Sequence, residues 1–437
     1  MRTELALACF GLAALVVSGA DVPTFNRDVA PILQQNCQGC HRPGEAGPMP
    51  LLTYPQTRPY AAAIKEAVAL RKMPPWFADP HYGKFSNNRS LSQRDIDALV
   101  AWANGGAPEG DPKDLPAPKP FLDGWNIPQP DVVLEMPSVF NVPATGTIDY
   151  QYILIPMNFK EDTWVQMAEV RPGDRSVMHH VIAYVRPPGS QWLAGIEPGV
   201  PYVPSDRSKE SKKRDGSFLV GYAPGLPANI LPDGRAKLVR AGSDIIFEMH
   251  YTTNGKATTD RSKIGLRFAK APVREQVATL YAANGDFAIP PGDSNYRVDS
   301  EFEFGADAKL VNLLPHMHLR GKDFEYKAIY PTGESQILLS VPHYSFSWQS
   351  VYNPVNDIVI PKGTRIHCTA HFDNSVNNPY NPDPSKEIKW GEQSWDEMMI
   401  GFFDVAIPID MKVRDLIVPK KDPAATAASN PPAKPSL

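Results

Sequence analysis

The stretch NCQGCHRPG sets Cys37, Cys40 and His41 in a C-x-x-C-H arrangement. Two thiols at that spacing can form thioether bonds to a porphyrin, and the adjacent imidazole stands where it can ligate the iron, so the motif reads as covalent attachment of haem c. A plain redox disulfide has no use for His41, and too few other cysteines remain to complete a zinc site. For the sixth iron ligand, RKMPPWF offers Met73, followed by two prolines that fix its loop. His81 in DPHYG is the rival; Met73 is preferred because a His/Met pair raises the potential as an electron carrier needs.

A second group of candidate ligands lies in apolar runs further along. RSVMHHVIAY, residues 175–184, sets His179 and His180 side by side in what otherwise reads as a half-buried strand. Neighbouring strand residues point to opposite faces, so at least one of the two looks inward and needs a partner. His250 in FEMHY sits in another strand, and His316 and His318 in LLPHMHLRG, two apart, share one side of a strand and can hold a single ion. Met398 in WDEMMIGF begins a further apolar run. Any one of these alone reads as core or surface, but together, all in strands, they read as metal ligands.

Two kinds of scaffold must carry these residues. Up to about residue 106 the chain reads helical: Phe25, Val29, Ile32 and Leu33 fall at helical spacing, and a Ser92/Asp95 capping box opens SLSQRDIDALVAWANGG, which Gly105 and Gly106 end. Beyond residue 130, short alternating runs such as YQYILIPM, SDIIFEMHY and MMIGFFDVAI are separated by PG, NG, DG and KG turns, an all-β pattern. The 46 prolines, about twice the usual share of ~5%, favour short strands and loops over long helices. The expected organisation is a signal peptide at 1–20, a helical domain at 21–106, an extended proline-rich linker at 107–130, β subdomains at 131–285 and 286–418, and a disordered tail at 419–437. The leader carries Arg2, an apolar core from Leu5 to Val17 and small residues before Asp21, so the mature protein is expected to be periplasmic or secreted, without a membrane span. A net charge of −4 gives no footprint for nucleic acid.

In order along the chain, HH, E-M-H-Y, an I-P-P-G turn, P-H-x-H-L and D-E-M resemble the copper type II, ascorbate-dependent monooxygenases, the family of the peptidylglycine and dopamine hydroxylases, over most of residues 131–410. The resemblance implies a double jelly-roll (two β-sandwich) monooxygenase-like domain, here following a small all-α cytochrome c domain. It implies two copper ions: an electron-relaying one on His179, His180 and His250, and an oxygen-binding one on His316, His318 and Met398. Three imidazoles suit a relay, and a thioether favours Cu(I), the state that meets O2. Adjacent histidines can reach one ion if their strand is locally distorted or they use different ring nitrogens. The implied activity is hydroxylation of a C–H bond of a small organic substrate with O2, the electrons coming from the haem or, through it, from an external donor.

Departures narrow that implication. Where the peptide-hydroxylating branch has an arginine, an asparagine and a tyrosine that clamp a substrate carboxylate, this chain has Leu314, Ile400 and Phe402, so a peptidylglycine substrate is not expected. Cys368 falls where a family half-cystine would be, but Met399 stands in its partner's place, and the expectation is a buried thiol. Two other readings compete. A non-catalytic electron-transfer or copper-binding protein would keep the ligands without an oxidisable substrate. RIHCTAHFDN sets Cys368 and His371 as C-x-x-H, which resembles the end of a blue-copper site and would suggest a nitrite reductase-like enzyme. His343, His367 and His371 are otherwise expected to be structural or supporting residues.

Overall fold

The computed structural model describes residues 22–45, 47–121 and 124–418; the expected leader and tail lie outside the described residues. The chain divides into two compact units, the first built, among the described residues, from 22–43, 49–73 and 91–119. Its helices are short. A π-helical turn, Phe25–Val29, leads into Ala30–Asn36, and Ala61–Ala69 and Gln93–Asn104 follow. The Ser92 side chain accepts the Asp95 N–H and caps the last helix, as its sequence signature predicts. Phe25, Val29, Leu33, Ile64, Val68, Ile96, Leu99 and Trp102 bury together in one core, each large side chain contributing on the order of 1.5–3 kcal/mol.

The first part of the expected linker is docked on this unit. Helix starts leave N–H groups without intrahelical partners, and here the N–H groups of Phe25 and Asn26 donate to the Pro108 and Glu109 carbonyls. Trp102 Nε1 donates to Pro108 O at 3.0 Å. A proline-rich segment has carbonyls to spare, which is why it can satisfy these donors instead of running free. Gly110 has φ +88°, and a Cβ there would lie 2.5 Å from Thr24 Oγ1, so the close return needs glycine.

The second unit is mostly β, as the alternating runs predict. A long sheet runs in the order Val132–Glu135, Lys263–Phe268, Thr163–Arg171, Arg235–Val239, Glu275–Ala283, Ile400–Pro408, Ala308–His316, Ile358–Ile360. Its neighbours are antiparallel except at the centre, where Arg235–Val239 and Glu275–Ala283 pair in parallel. Two four-stranded sheets pack against it. One, ordered Gln151–Pro156, Asp244–Tyr251, Met178–Arg186, Ser217–Tyr222, shares a core of Val181, Ala183, Phe247 and Met249 with Val170, Ile264 and Leu266 of the long sheet. The other, ordered Tyr296–Glu303, Arg365–Phe372, Gly321–Ile329, Ser335–Val341, shares Phe324, Tyr326, Ile366 and Cys368 with Leu313, Phe403 and Val405.

The strand Glu275–Ala283 joins the two halves of the long sheet, pairing with Arg235–Val239 on one side. On the other side it pairs along its full length with Ile400–Pro408, and its Leu280 and Ala282 belong to the second core. The sequence places turn signals at both ends of this strand and cannot tell which partner it takes. No helix among the described residues is long and apolar enough to cross a membrane.

Candidate metal centres

The first histidine set lies on the four-stranded sheet of the first half. His180 stands directly opposite His250, while Met178 pairs with Tyr251, so one extra residue, His179, is inserted between the two pairs. That β-bulge is the local distortion the doublet requires: it breaks the alternation and frees His179 to turn toward its neighbour. Val181, Ala183, Phe247 and Met249 point into the core, leaving His180, Ile182, His250 and Glu248 on the opposite face.

The geometry is that of a ligand set. His179 Nδ1 and His180 Nδ1 are 3.0 Å apart, and His179, His180 and His250 offer ligand atoms that all lie within 4.8 Å of one another. Tyr150 packs its ring 4.6 Å from His250 and 5.5 Å from His180. Burial, and then the nearby His316, bring the His179 pKa down to about 4; burial holds His180 well below the usual imidazole value. Neutral imidazoles with converging nitrogens are the form that binds a transition metal, so the residues fit copper.

The second set sits where Ala308–His316 leaves its neighbour. His316 pairs with Ile400, the last pair of that ladder, and Met398 lies two residues before Ile400 in the chain. The rings of His316 and His318 lie 5.2 Å apart at 88°. Each is oriented through Nδ1: His316 against Gln349 Oε1 at 2.7 Å, His318 against the Asp396 carbonyl at 3.2 Å. An oxygen acceptor puts the proton on Nδ1 and leaves the Nε2 lone pair for a metal, the usual way a supporting bond fixes a ligand tautomer. Burial lowers both pKa values.

Glu397, fully buried, ties the ligand-bearing segments together. It accepts the N–H of His318 at 2.8 Å and of Arg320 at 2.6 Å, and burial pushes its pKa up to about 8. Arg320, also buried, donates from Nε to Asn374 Oδ1 at 2.9 Å and from Nη1 to the Trp395 carbonyl at 2.8 Å. The turn after His318 and the residues before Met398 are thereby held to each other. Beside them, Leu314 and Tyr281 flank Phe402 across three strands, and Phe402 lies 6.2 Å from His316. The three positions that depart from the carboxylate clamp therefore line one apolar wall next to the second set. Gly401 makes room behind that wall, since a Cβ there would meet Cys368 Sγ at 2.5 Å.

Phe346 lies between the sets. Its ring stacks on His179 at 4.7 Å and meets His318 edge-on at 5.8 Å. Gln349, Tyr150, Glu397, Arg320 and Phe346 were not singled out by sequence reasoning, because a loop residue or buried polar group gives no periodic signal.

The C-x-x-C-H segment forms a tight turn after Ala30–Asn36. The N–H groups of Cys40 and His41 both donate to the Cys37 carbonyl, at 3.1 and 2.9 Å. Cys37 and Cys40 are not joined in a disulfide, and burial, with Cys40 second, pushes the Cys37 pKa up to about 12. His41 Nδ1 bonds the Met49 carbonyl at 3.1 Å, which leaves Nε2 available for an iron ligand, so these residues fit haem c. Met73 is half-buried, its N–H donating to the Ala67 carbonyl beyond the end of Ala61–Ala69. His81 belongs to the second unit, where its exposed imidazole pairs with Asp79 at 2.7 Å.

The C-x-x-H arrangement does not make a metal site. Cys368 is buried in the second core, whereas His371, three residues on in the same strand, bonds Asp323 at 2.7 Å on the opposite face. The thiol is buried, as expected, and burial raises its pKa. His367 shares that outer face and bonds Asp299 at 3.0 Å, and His343 is exposed. Asp299 also takes a two-pronged bond from Arg297, at 2.7 and 2.8 Å, which is the main reason its pKa falls to about 2. With its folded pKa below the unfolded value of about 3.9, Asp299 contributes stability at higher pH that is lost as pH falls through about 2. Asp299→Asn is expected to flatten the stability profile between pH 4 and 2, measured by denaturant unfolding. A variant that loses stability on acidification as steeply as the parent would refute the assignment.

No protein-family model matches the chain, and no curated protein matches it. Solved structures match only weakly. The VP2 subviral particle of infectious bursal disease virus is 9% identical with a TM-score of 0.18, over 66% of this chain and 74% of that one. Allantoicase from Saccharomyces cerevisiae is 8% identical with a TM-score of 0.16, over 54% and 79%. VP54 of PBCV-1, fitted into a reconstruction of the virophage Sputnik, is 7% identical with a TM-score of 0.23, over 67% and 98%. None superposes well enough to carry an argument.

Proposed function

We propose that the chain is an exported haem- and copper-dependent monooxygenase, a cytochrome c domain joined to a double jelly roll, that hydroxylates a C–H bond of a small organic substrate with O2. The observation that carries this reading is the pair of histidine sets in one β unit, one of three imidazoles around a bulged strand and one of two imidazoles, His316 and His318, at the end of the strand that pairs with the one Met398 precedes. Haem c and copper bound at these residues would supply one-electron transfer and O2 activation, chemistry that no side chain here provides.

The chain's own residues do the rest. Gln349 and the Asp396 carbonyl fix the tautomers of His316 and His318 and aim their Nε2 atoms. Leu314, Ile400, Phe402 and Tyr281 present an apolar wall beside His316, which favours a neutral or apolar group there, because a charge would be desolvated without a partner. Cys37, Cys40 and His41 would hold the haem, with Met73 as the candidate further ligand, and the haem would supply electrons drawn from an external donor.

Metal analysis with visible and EPR spectra of the exported protein tests the reading. The expected result is two coppers and one haem that resists acid-acetone extraction, with no intense blue band, since neither copper site contains a thiolate. One copper or none, or haem that extracts, overturns it. Two coppers and haem without O2 uptake on any organic substrate favour the electron-carrier reading instead.

A further inference from the structure

The two histidine sets stand on different sheets, and no strand pairing directly joins the ligand-bearing strand ends of one set to those of the other. One loop, following Ser335–Val341, touches both. The Tyr344 hydroxyl accepts the Met317 N–H at 3.1 Å and donates to the Met317 carbonyl at 2.8 Å, clamping the residue between His316 and His318. Gln349 bonds His316. Between these anchors Phe346 stacks on His179, its plane inclined 23°, and presents its edge region to His318 at 75°. Trp348 lies against Gly225, where a Cβ would come 2.8 Å from the indole; Gly225 follows Ser217–Tyr222, the strand beside the one that carries His179.

We propose that Phe346 is a positioning residue that holds the two histidine sets at one short separation and fills the space between them. The proposal rests on reading both sets as copper sites. An aromatic ring suits this role: it has two torsions to fix, it is stiff, and a stacked or edge-on ring pair adds attraction beyond the area it buries. The bonds of Tyr344 and Gln349 on either side keep the ring from swinging out unless Met317 or His316 moves with it. Removing the ring deletes both contacts and leaves the anchors and all ligands in place. A ring that merely packs would change stability when removed but leave the separation as it was.

Pulsed EPR of the full chain loaded with Cu(II) reads the separation as a dipolar coupling, with no need for turnover. The parent is expected to give one narrow distance distribution. Phe346→Ala should lose the narrow peak in favour of a broader, longer distribution. Phe346→Leu, which keeps apolar bulk if alanine fails to fold, should lose it too, and Phe346→Tyr should restore it. A parental distribution in both the alanine and leucine variants overturns the proposal, as does loss of one copper from both, because a spacer is not a ligand. Fewer than two coppers in the parent sinks the copper reading itself, and that failure shows in the metal count before any variant is made.

Discussion

Met398→Ala is expected to lower hydroxylation by ~100-fold or more, beyond the 10–100-fold typical of residues that only support a metal ligand. Reduction of the centre at His179, His180 and His250 should continue at close to the parental rate, since none of those ligands changes. Met398 lies two residues before Ile400, the partner of His316, and the buried Glu397 beside it grips the His318 and Arg320 backbone. Met399 cannot take over: it points into the second core, fully buried. His371 cannot either, because it faces outward from another sheet against Asp323. Stopped-flow reduction followed by exposure to O2 and a panel of neutral apolar substrates separates the two steps. Hydroxylation by the alanine variant at the parental rate sinks the ligand assignment.

The sequence named His179, His180 and His250 as one candidate set, but it could not show the long-range pairing that brings them together. Two adjacent histidines in a strand announce a conflict with alternation, and the bulge at His179 resolves it. The sequence has no signal for where a bulge falls, because any residue type can be the inserted one. The H-x-H spacing suggests a shared side for His316 and His318 from local geometry alone, whereas the pairing of His316 with Ile400 joins residues more than eighty apart. The failure of C-x-x-H has the same root. A spacing of three suits a loop, but Cys368 and His371 lie in a continuous strand, Arg365–Phe372, and odd spacing sends them to opposite faces. At residues 107–119 the proline content that suggests an extended, semi-rigid linker also supplies the carbonyls that accept from Phe25 and Asn26.

The seam of the long sheet carries the largest expected effect on stability. Lys237, Thr279, Asn312 and Asp404 come from four strands on both sides of the parallel pairing, with Lys237 and Asp404 buried and Thr279 and Asn312 half-buried around them. Lys237 Nζ lies 3.4 Å from Asp404 Oδ2 and donates to Thr279 Oγ1 at 3.1 Å and to the Phe218 carbonyl at 3.3 Å. Asp404 also accepts from Asn312 Nδ2 at 3.0 Å and from the Thr279 hydroxyl. Burial pulls the Lys237 pKa down against the opposing pull of Asp404, so the pair does not fully offset the cost of leaving water. Two consequences follow from that imbalance. Asp404→Ala leaves the ammonium buried without its counter-charge and should cost about 3–5 kcal/mol. The double variant Lys237→Met/Asp404→Leu, which removes both charges and keeps the volume, should recover most of that loss, a coupling that a double-mutant cycle measures directly. Denaturant unfolding followed by the tryptophan signal of the β unit gives the values. A single variant within 1 kcal/mol of the parent would show that water reaches the seam and solvates Lys237. If instead the double variant is no better than Asp404→Ala, the quartet's hydrogen bonds, not its charges, hold the two halves of the sheet together.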